Sequence, residues 1–171
     1  LNRGHPRFVD TGAILVSACE GPIDSGRRNA RRRLKEANYG SRIDCFAWGQ
    51  NIWAAGSYAN FDSTGPANRS HTETFSGTSA AAAIIAGAAI VIQQMAQKTR
   101  QTRLSPAQVR LLLSDRSTGT PIVDGRGDQI GVMPNLEEIA KKIATLPDLY
   151  IRDSLEDRGI LGQPQTFVSP D

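Results

Sequence analysis

Residues 75–87 read Phe75-Ser76-Gly77-Thr78-Ser79-Ala80-Ala81-Ala82-Ala83-Ile84-Ile85-Ala86-Gly87, a small polar turn opening directly into an apolar run that reaches Met95. No polar residue interrupts the run before Gln93 and Gln94. A segment this long with no polar side predicts a core helix covered all round, with Ser79 at its N-terminus. The first N–H groups of a helix have no partner within the helix, and the aligned peptide dipoles favour negative charge there. That place suits a nucleophilic serine, because the oxyanion formed on attack needs donors aimed at it. Ser and Thr ahead of a helix are also ordinary N-caps. Two features weigh toward the nucleophile: Gly77 permits a close approach or an unusual dihedral, and the small residues after Ser79 leave room for a substrate.

Working outward, Gly12-Ala13-Ile14-Leu15-Val16-Ser17-Ala18 is a continuous apolar run, the pattern of a parallel strand covered on both faces. Residues 42–49 predict a second strand ending in Gly49, and residues 50–55 a further short one. Residues 56–74, rich in Ser, Asn, Gly and Thr, read as a loop leading into the serine turn. Residues 104–113 predict a helix with Ser105 as N-cap, Pro106 at its first position, and Val109, Leu112 and Leu113 as its apolar stripe. A last helix is expected over Leu136–Ile143, with Leu136, Ile139, Ala140 and Ile143 on one face. Pro147 closes the compact part. The expected organisation is therefore one domain over 1–147, then an extended linker over 148–171 toward a further module.

At 171 residues, 39% hydrophobic and 22% charged, the chain is long and apolar enough to build a core, which excludes a disordered class. The net charge of +3 is mild. A basic cluster, Arg27, Arg28, Arg31, Arg32 and Arg33, has no interleaved aromatic residue, so no nucleic-acid partner is expected. The run over 80–92 is too short and too rich in Ala for a membrane span. Cys19 and Cys45 lack metal-binding spacing and are expected as buried free thiols. The acidic stretch Asp153-Ser154-Leu155-Glu156-Asp157 lacks the alternation of a calcium loop, so no cofactor is expected and structural calcium has no support.

The block around Ser79 resembles the serine motif of the subtilisin-like serine proteases, G-T-S-x-A-x-P-x-x-A-G. Gly77, Thr78, Ser79, Ala81, Ala86 and Gly87 match it, and Ala83 stands where the family usually has Pro. Ser105-Pro106 with Val109, the loop Thr118-Gly119-Thr120-Pro121, and Ile130-Gly131 with Pro134 and Leu136 resemble later segments of the same family. The resemblance implies an α/β fold: a three-layer, doubly wound parallel sheet with helices on both faces, of which this chain would be the C-terminal half. It implies that Ser79 forms an acyl-enzyme, that Thr78 and Gly77 support the oxyanion and the cleft, and that the substrate is a protein or peptide. Secretion follows from the same analogy alone.

Such proteases place an Asp, a His and an oxyanion Asn ahead of the serine. His5, before Pro6, and His71, among Ser and Thr residues, do not lie in the family's H-G-T-x-x-A setting, and Asn2 lacks A-x-x-G-N neighbours. The expectation is a nucleophile-bearing fragment of a serine endopeptidase, inactive alone, whose N-terminal portion supplies Asp, His and Asn. Without that portion, the strand edge at 12–18 would be open. The competing reading is a non-catalytic, subtilase-like binding or regulatory module.

Overall fold

The computed structural model describes residues 3–21, 31–55, 71–123 and 127–147. Arg27, Arg28, the loop over 56–70, the acidic stretch at 153–157 and the expected linker lie outside the described residues.

The two apolar runs form strands β1 (Val16–Cys19) and β2 (Cys45–Trp48), paired in parallel with Val16 opposite Cys45 and Cys19 opposite Trp48. Strand β3 (Ile52–Ala55) pairs antiparallel with β4 (His71–Phe75) in a separate two-stranded sheet. Helices α1 (Thr78–Arg100) and α2 (Pro106–Leu113) follow, then β5 (Thr120–Pro121), β6 (Val132–Met133) and helix α3 (Leu136–Thr145). β6 extends the main sheet in parallel beside β2, and β5 closes it antiparallel, in the order β1-β2-β6-β5. Pro121 sits on that outer strand, where a missing N–H costs no ladder bond. The architecture is the expected α/β one, with a parallel sheet bordered by an antiparallel edge.

Alternation along the strands separates two faces. Ala18, Cys45 and Ala47 share a core with buried side chains of all three helices, among them Ile85, Ile92, Leu112, Leu113, Ile139 and Ile143. Cys19 and Phe46 look the other way and pack on Ile130, with Ile43, Ile122 and Met133 around them. Among the described residues, helices therefore cover one face and loop side chains the other. Both cysteines are buried and unpaired, and burial pushes each thiol up to about 12.

The structure revises four expectations. First, residues 71–75 are not loop but strand β4, hidden in the sequence by their Thr, Glu and His content. Second, the outer edge of β1 is not open throughout. The Leu34 N–H donates to the Ala18 carbonyl at 3.0 Å, and the Glu20 N–H donates to that of Arg32 at 2.8 Å, so residues 32–34 cover its C-terminal end. Third, α1 is 23 residues long, enough by length and composition to cross a bilayer, although one side of it forms the core. Fourth, α1 is not buried all round. Ala80, Ala81, Ile85, Ile92 and Ala96 face inward, while Ala82, Ala83, Ile84, Ala86, Gly87 and Ile90 are exposed.

Two arginines hold the scaffold. The buried Asp44 carboxylate accepts hydrogen bonds from Arg3 (2.5 Å), Arg110 Nε (3.0 Å) and the Leu15 N–H (2.8 Å), and Arg110 also reaches Asp10 at 2.6 Å. This network ties residues 3–15 and α2 to the start of β2. The hydrogen bond from Arg110, then the Gly12 N–H, holds the Asp10 carboxyl below its usual range. Arg33 donates Nε to Asp128 at 2.7 Å and Nη1 to the carbonyls of Leu34, Lys35 and Ala37, with its guanidinium 4.6 Å over the Tyr39 ring. The arginine cluster is thus partly structural rather than a row of solvated charges.

Candidate active site

The serine turn is fixed by two glycines. The Gly77 N–H donates to the Gly49 carbonyl at 2.7 Å, drawing the turn onto the end of β2. At Gly49 a Cβ would lie 2.6 Å from the Ala18 Cβ and 2.8 Å from the Gly77 carbonyl oxygen, so a side chain would push the turn away. Gly77 has room for a Cβ, but its φ of 112° is one that L side chains rarely adopt. Sequence reading found Gly77 and missed Gly49, because the close approach is made by residues far apart in the chain.

The approach to the turn is also irregular. Ile52 pairs with Phe75 and Ala54 with Thr72, a register shift that leaves one extra residue on β4. Thr72 and Thr74 are tied by hydrogen bonds at 3.1 Å, and the Ser76 hydroxyl donates to the Thr74 carbonyl at 3.1 Å. Ser76 therefore belongs to the strand end, and the N-cap of α1 is Gly77.

Helix α1 begins at Thr78, which makes Ser79 its second residue. No side chain caps this end, and no acidic residue lies in the first turn. The Ala80 N–H turns back to the Gly77 carbonyl at 3.2 Å, and Ala80 and Ala81 are buried, so the first turn is anchored from beneath. Thr78 and Ser79 face solvent above it. An exposed hydroxyl thus stands at an uncapped helix start, where backbone donors and dipole favour an anion.

Neither histidine joins it. His71 lies at the opposite end of β4, its ring stacked on Trp53 with centroids 5.1 Å apart and planes 10° apart. Four residues of extended strand separate it from Phe75, about 13 Å of chain. The His5 Nδ1 accepts the Arg7 N–H at 3.1 Å in the exposed N-terminal segment. Among the described residues no imidazole or carboxylate is hydrogen-bonded to Ser79, and no group of three or more His, Cys, Asp or Glu could hold a metal ion.

Comparison with known proteins places this geometry. The chain is similar to a solved structure described as the self-cleaved protease domain of PatA, at 24% identity and a TM-score of 0.53. The match covers 78% of this chain and 42% of that one, so the chain spans less than half of that domain, and at this identity the likeness establishes the fold alone. No curated protein matches. The sequence profile of the Subtilase family matches residues 12–136, from the approach to β1 through the serine turn to the start of α3, and the chain therefore belongs to that family.

Proposed function

We propose that Ser79 is the nucleophile of a serine endopeptidase, and that the groups completing its site come from an N-terminal portion pairing with this chain. The observation that carries this reading is the start of α1: an exposed serine on the first turn of a long helix, with no side-chain cap and no acidic neighbour. Family membership supplies the reaction class. The Ser79 Oγ bonds to the carbonyl carbon of the scissile peptide while its proton passes to a histidine. The carbonyl oxygen takes the electron pair and becomes an oxyanion, stabilised by the Ser79 N–H and the Thr78 hydroxyl. Collapse breaks the C–N bond, the histidine returns its proton to the leaving amine, and the acyl group stays on Ser79 until water attacks by the same route. The histidine, the aspartate that orients it and the oxyanion asparagine are the contributions of the completing portion. Substrates are proteins or peptides, and no cofactor takes part.

The test is fluorophosphonate labelling with the adduct mapped by peptide mass. The expected result is an adduct on Ser79 in the complete protease and none on chain 1–171 alone. An adduct on Ser76 with Ser79 unmodified overturns the assignment. No adduct anywhere in a folded, complete protein favours the non-catalytic binding module instead.

A further inference from the structure

Helix α1 has an apolar side that this chain leaves uncovered. Ala82, Ala83, Ala86, Gly87 and Ile90 are exposed, Ile90 by 65%, and they recur at the spacing of one helix face. A face turned permanently to water normally carries charge. Here the stripe turns polar only further along, at Gln94 and Gln97. Beside Ile90 the surface drops into a groove of about 400 Å³ between α1, α2 and the residues before β1, lined by Ile14, Ala89, Ile90, Gln93, Pro106 and Val109. The one amide in this lining is already engaged. Gln93 Nε2 donates to the Leu104 carbonyl at 2.7 Å and Gln93 Oε1 accepts the Leu104 N–H at 3.0 Å, so the groove suits apolar side chains.

Gly87 adds a separate observation. Glycine inside a helix is less stable than alanine, so it needs a reason. A Cβ built at Gly87 meets nothing within 4 Å, so no contact among the described residues supplies one. Close approach by a second backbone from outside would.

We infer that this side of α1 seats a helix of the portion that completes the Ser79 site, its backbone close over Ala83 and Gly87 and its apolar side chains in the groove by Ile14 and Val109. The inference rests on the proposed function for the identity of the occupant. Continuity supports that choice: Ala83 lies one turn beyond Ser79 on the same helix, so an element seated here holds its neighbours within reach of the serine. The similar protease domain also has more than half its length without a counterpart in this chain.

The test uses an introduced thiol. Cys19 and Cys45 are buried, with thiols pushed up to about 12, so an Ile90→Cys variant carries one reactive cysteine. Iodoacetamide is expected to modify it quickly in chain 1–171, and roughly a hundredfold more slowly in the complete polypeptide, where reaction waits on local opening. Glu137→Cys, on the exposed side of α3, reacts quickly in both. Adding Gly87→Leu leaves the melting temperature of chain 1–171 no lower, yet restores fast modification at residue 90 in the complete polypeptide. Equal rates at residue 90 in both contexts, or protection that survives Gly87→Leu, overturns the inference. So does protection that appears in chain 1–171 alone and grows with its concentration, which would identify a second copy as the occupant. Protection without a fluorophosphonate adduct on Ser79 keeps the seat and sinks the protease reading, whereas an adduct without protection does the reverse.

Discussion

At the start of α2, the Ser105 Oγ accepts the Gln108 N–H at 3.2 Å while Gln108 Oε1 accepts the Ser105 N–H at 2.7 Å, and Pro106 removes one further donor. At the start of α3, the Asn135 side chain accepts two N–H groups, and Glu137 and Glu138 place negative charge in the first turn. At the start of α1, the longest of the three, there is a glycine, no side-chain acceptor and no carboxylate. The same chain closes two helix starts with its own atoms and leaves the third to whatever arrives from outside. A closed start contributes stability; an open one keeps donors available for an anion, including one that exists only during a reaction.

This contrast breaks most sharply at Ser79. In the complete protease, Ser79→Ala is expected to lower peptide turnover by several orders of magnitude, roughly 10⁶-fold where a triad acts as a unit. Its melting temperature stays unchanged, because the exposed hydroxyl holds nothing in the fold. A large drop in melting temperature would make Ser79 an ordinary structural serine.

Next is the clamp beneath the open start. Gly49→Ala puts a methyl group against the Gly77 carbonyl and Ala18, at a cost of about 1–3 kcal/mol for an overpacked site. Urea unfolding measures the loss, and labelling of Ser79 should fall with it. A variant of undiminished stability that still labels would mean that the turn does not depend on this approach.

At the closed start the expectation reverses. Ser105→Ala should cost about 1 kcal/mol by removing the capping box, with no effect on labelling beyond that loss of stability. Thr78→Ala should barely change stability, because no cap is lost. Comparable stability losses from the two would erase the distinction.

The smallest effect is in acid. Burial works to raise the Asp115 carboxyl, but hydrogen bonds from Lys142 of α3 and from Ser117 outweigh it and hold it below the usual range. The folded state then binds fewer protons than the unfolded one. This contribution is full above the ordinary carboxylate range and is lost as pH falls through the lowered value. Asp115→Asn should therefore destabilise at pH 7 and matter less near pH 3, as read from urea midpoints. No carboxylate in the first turn of α1 contributes such a dependence.

The parts of this fold legible in the sequence are those whose cause is local. Ser105 and Pro106 announced α2 with its cap, and the stripe Val109, Leu112 and Leu113 is buried as its spacing required. The apolar runs gave β1 and β2, and Gly77-Thr78-Ser79 gave the position of the helix start. Strand β4 was not legible, because its residues have little strand preference and it exists by pairing with β3 across a long separation. Gly49 was hidden for the same reason. The open side of α1 misled in a different way: uniform apolarity says that a helix is to be covered, but not that the cover is in the same chain.

Arg33 carries a practical consequence for anyone probing the arginine-rich stretch. Its guanidinium serves one carboxylate, three carbonyls and an aromatic ring at once. Lysine, with a compact ammonium and no planar fork, cannot reproduce that set even though it keeps the charge. Replacing Arg31, Arg32 and Arg33 together would loosen the segment that borders β1, and lost binding to any polyanion would then report a damaged scaffold. Arg32, exposed, is the member to substitute when the question is surface charge alone.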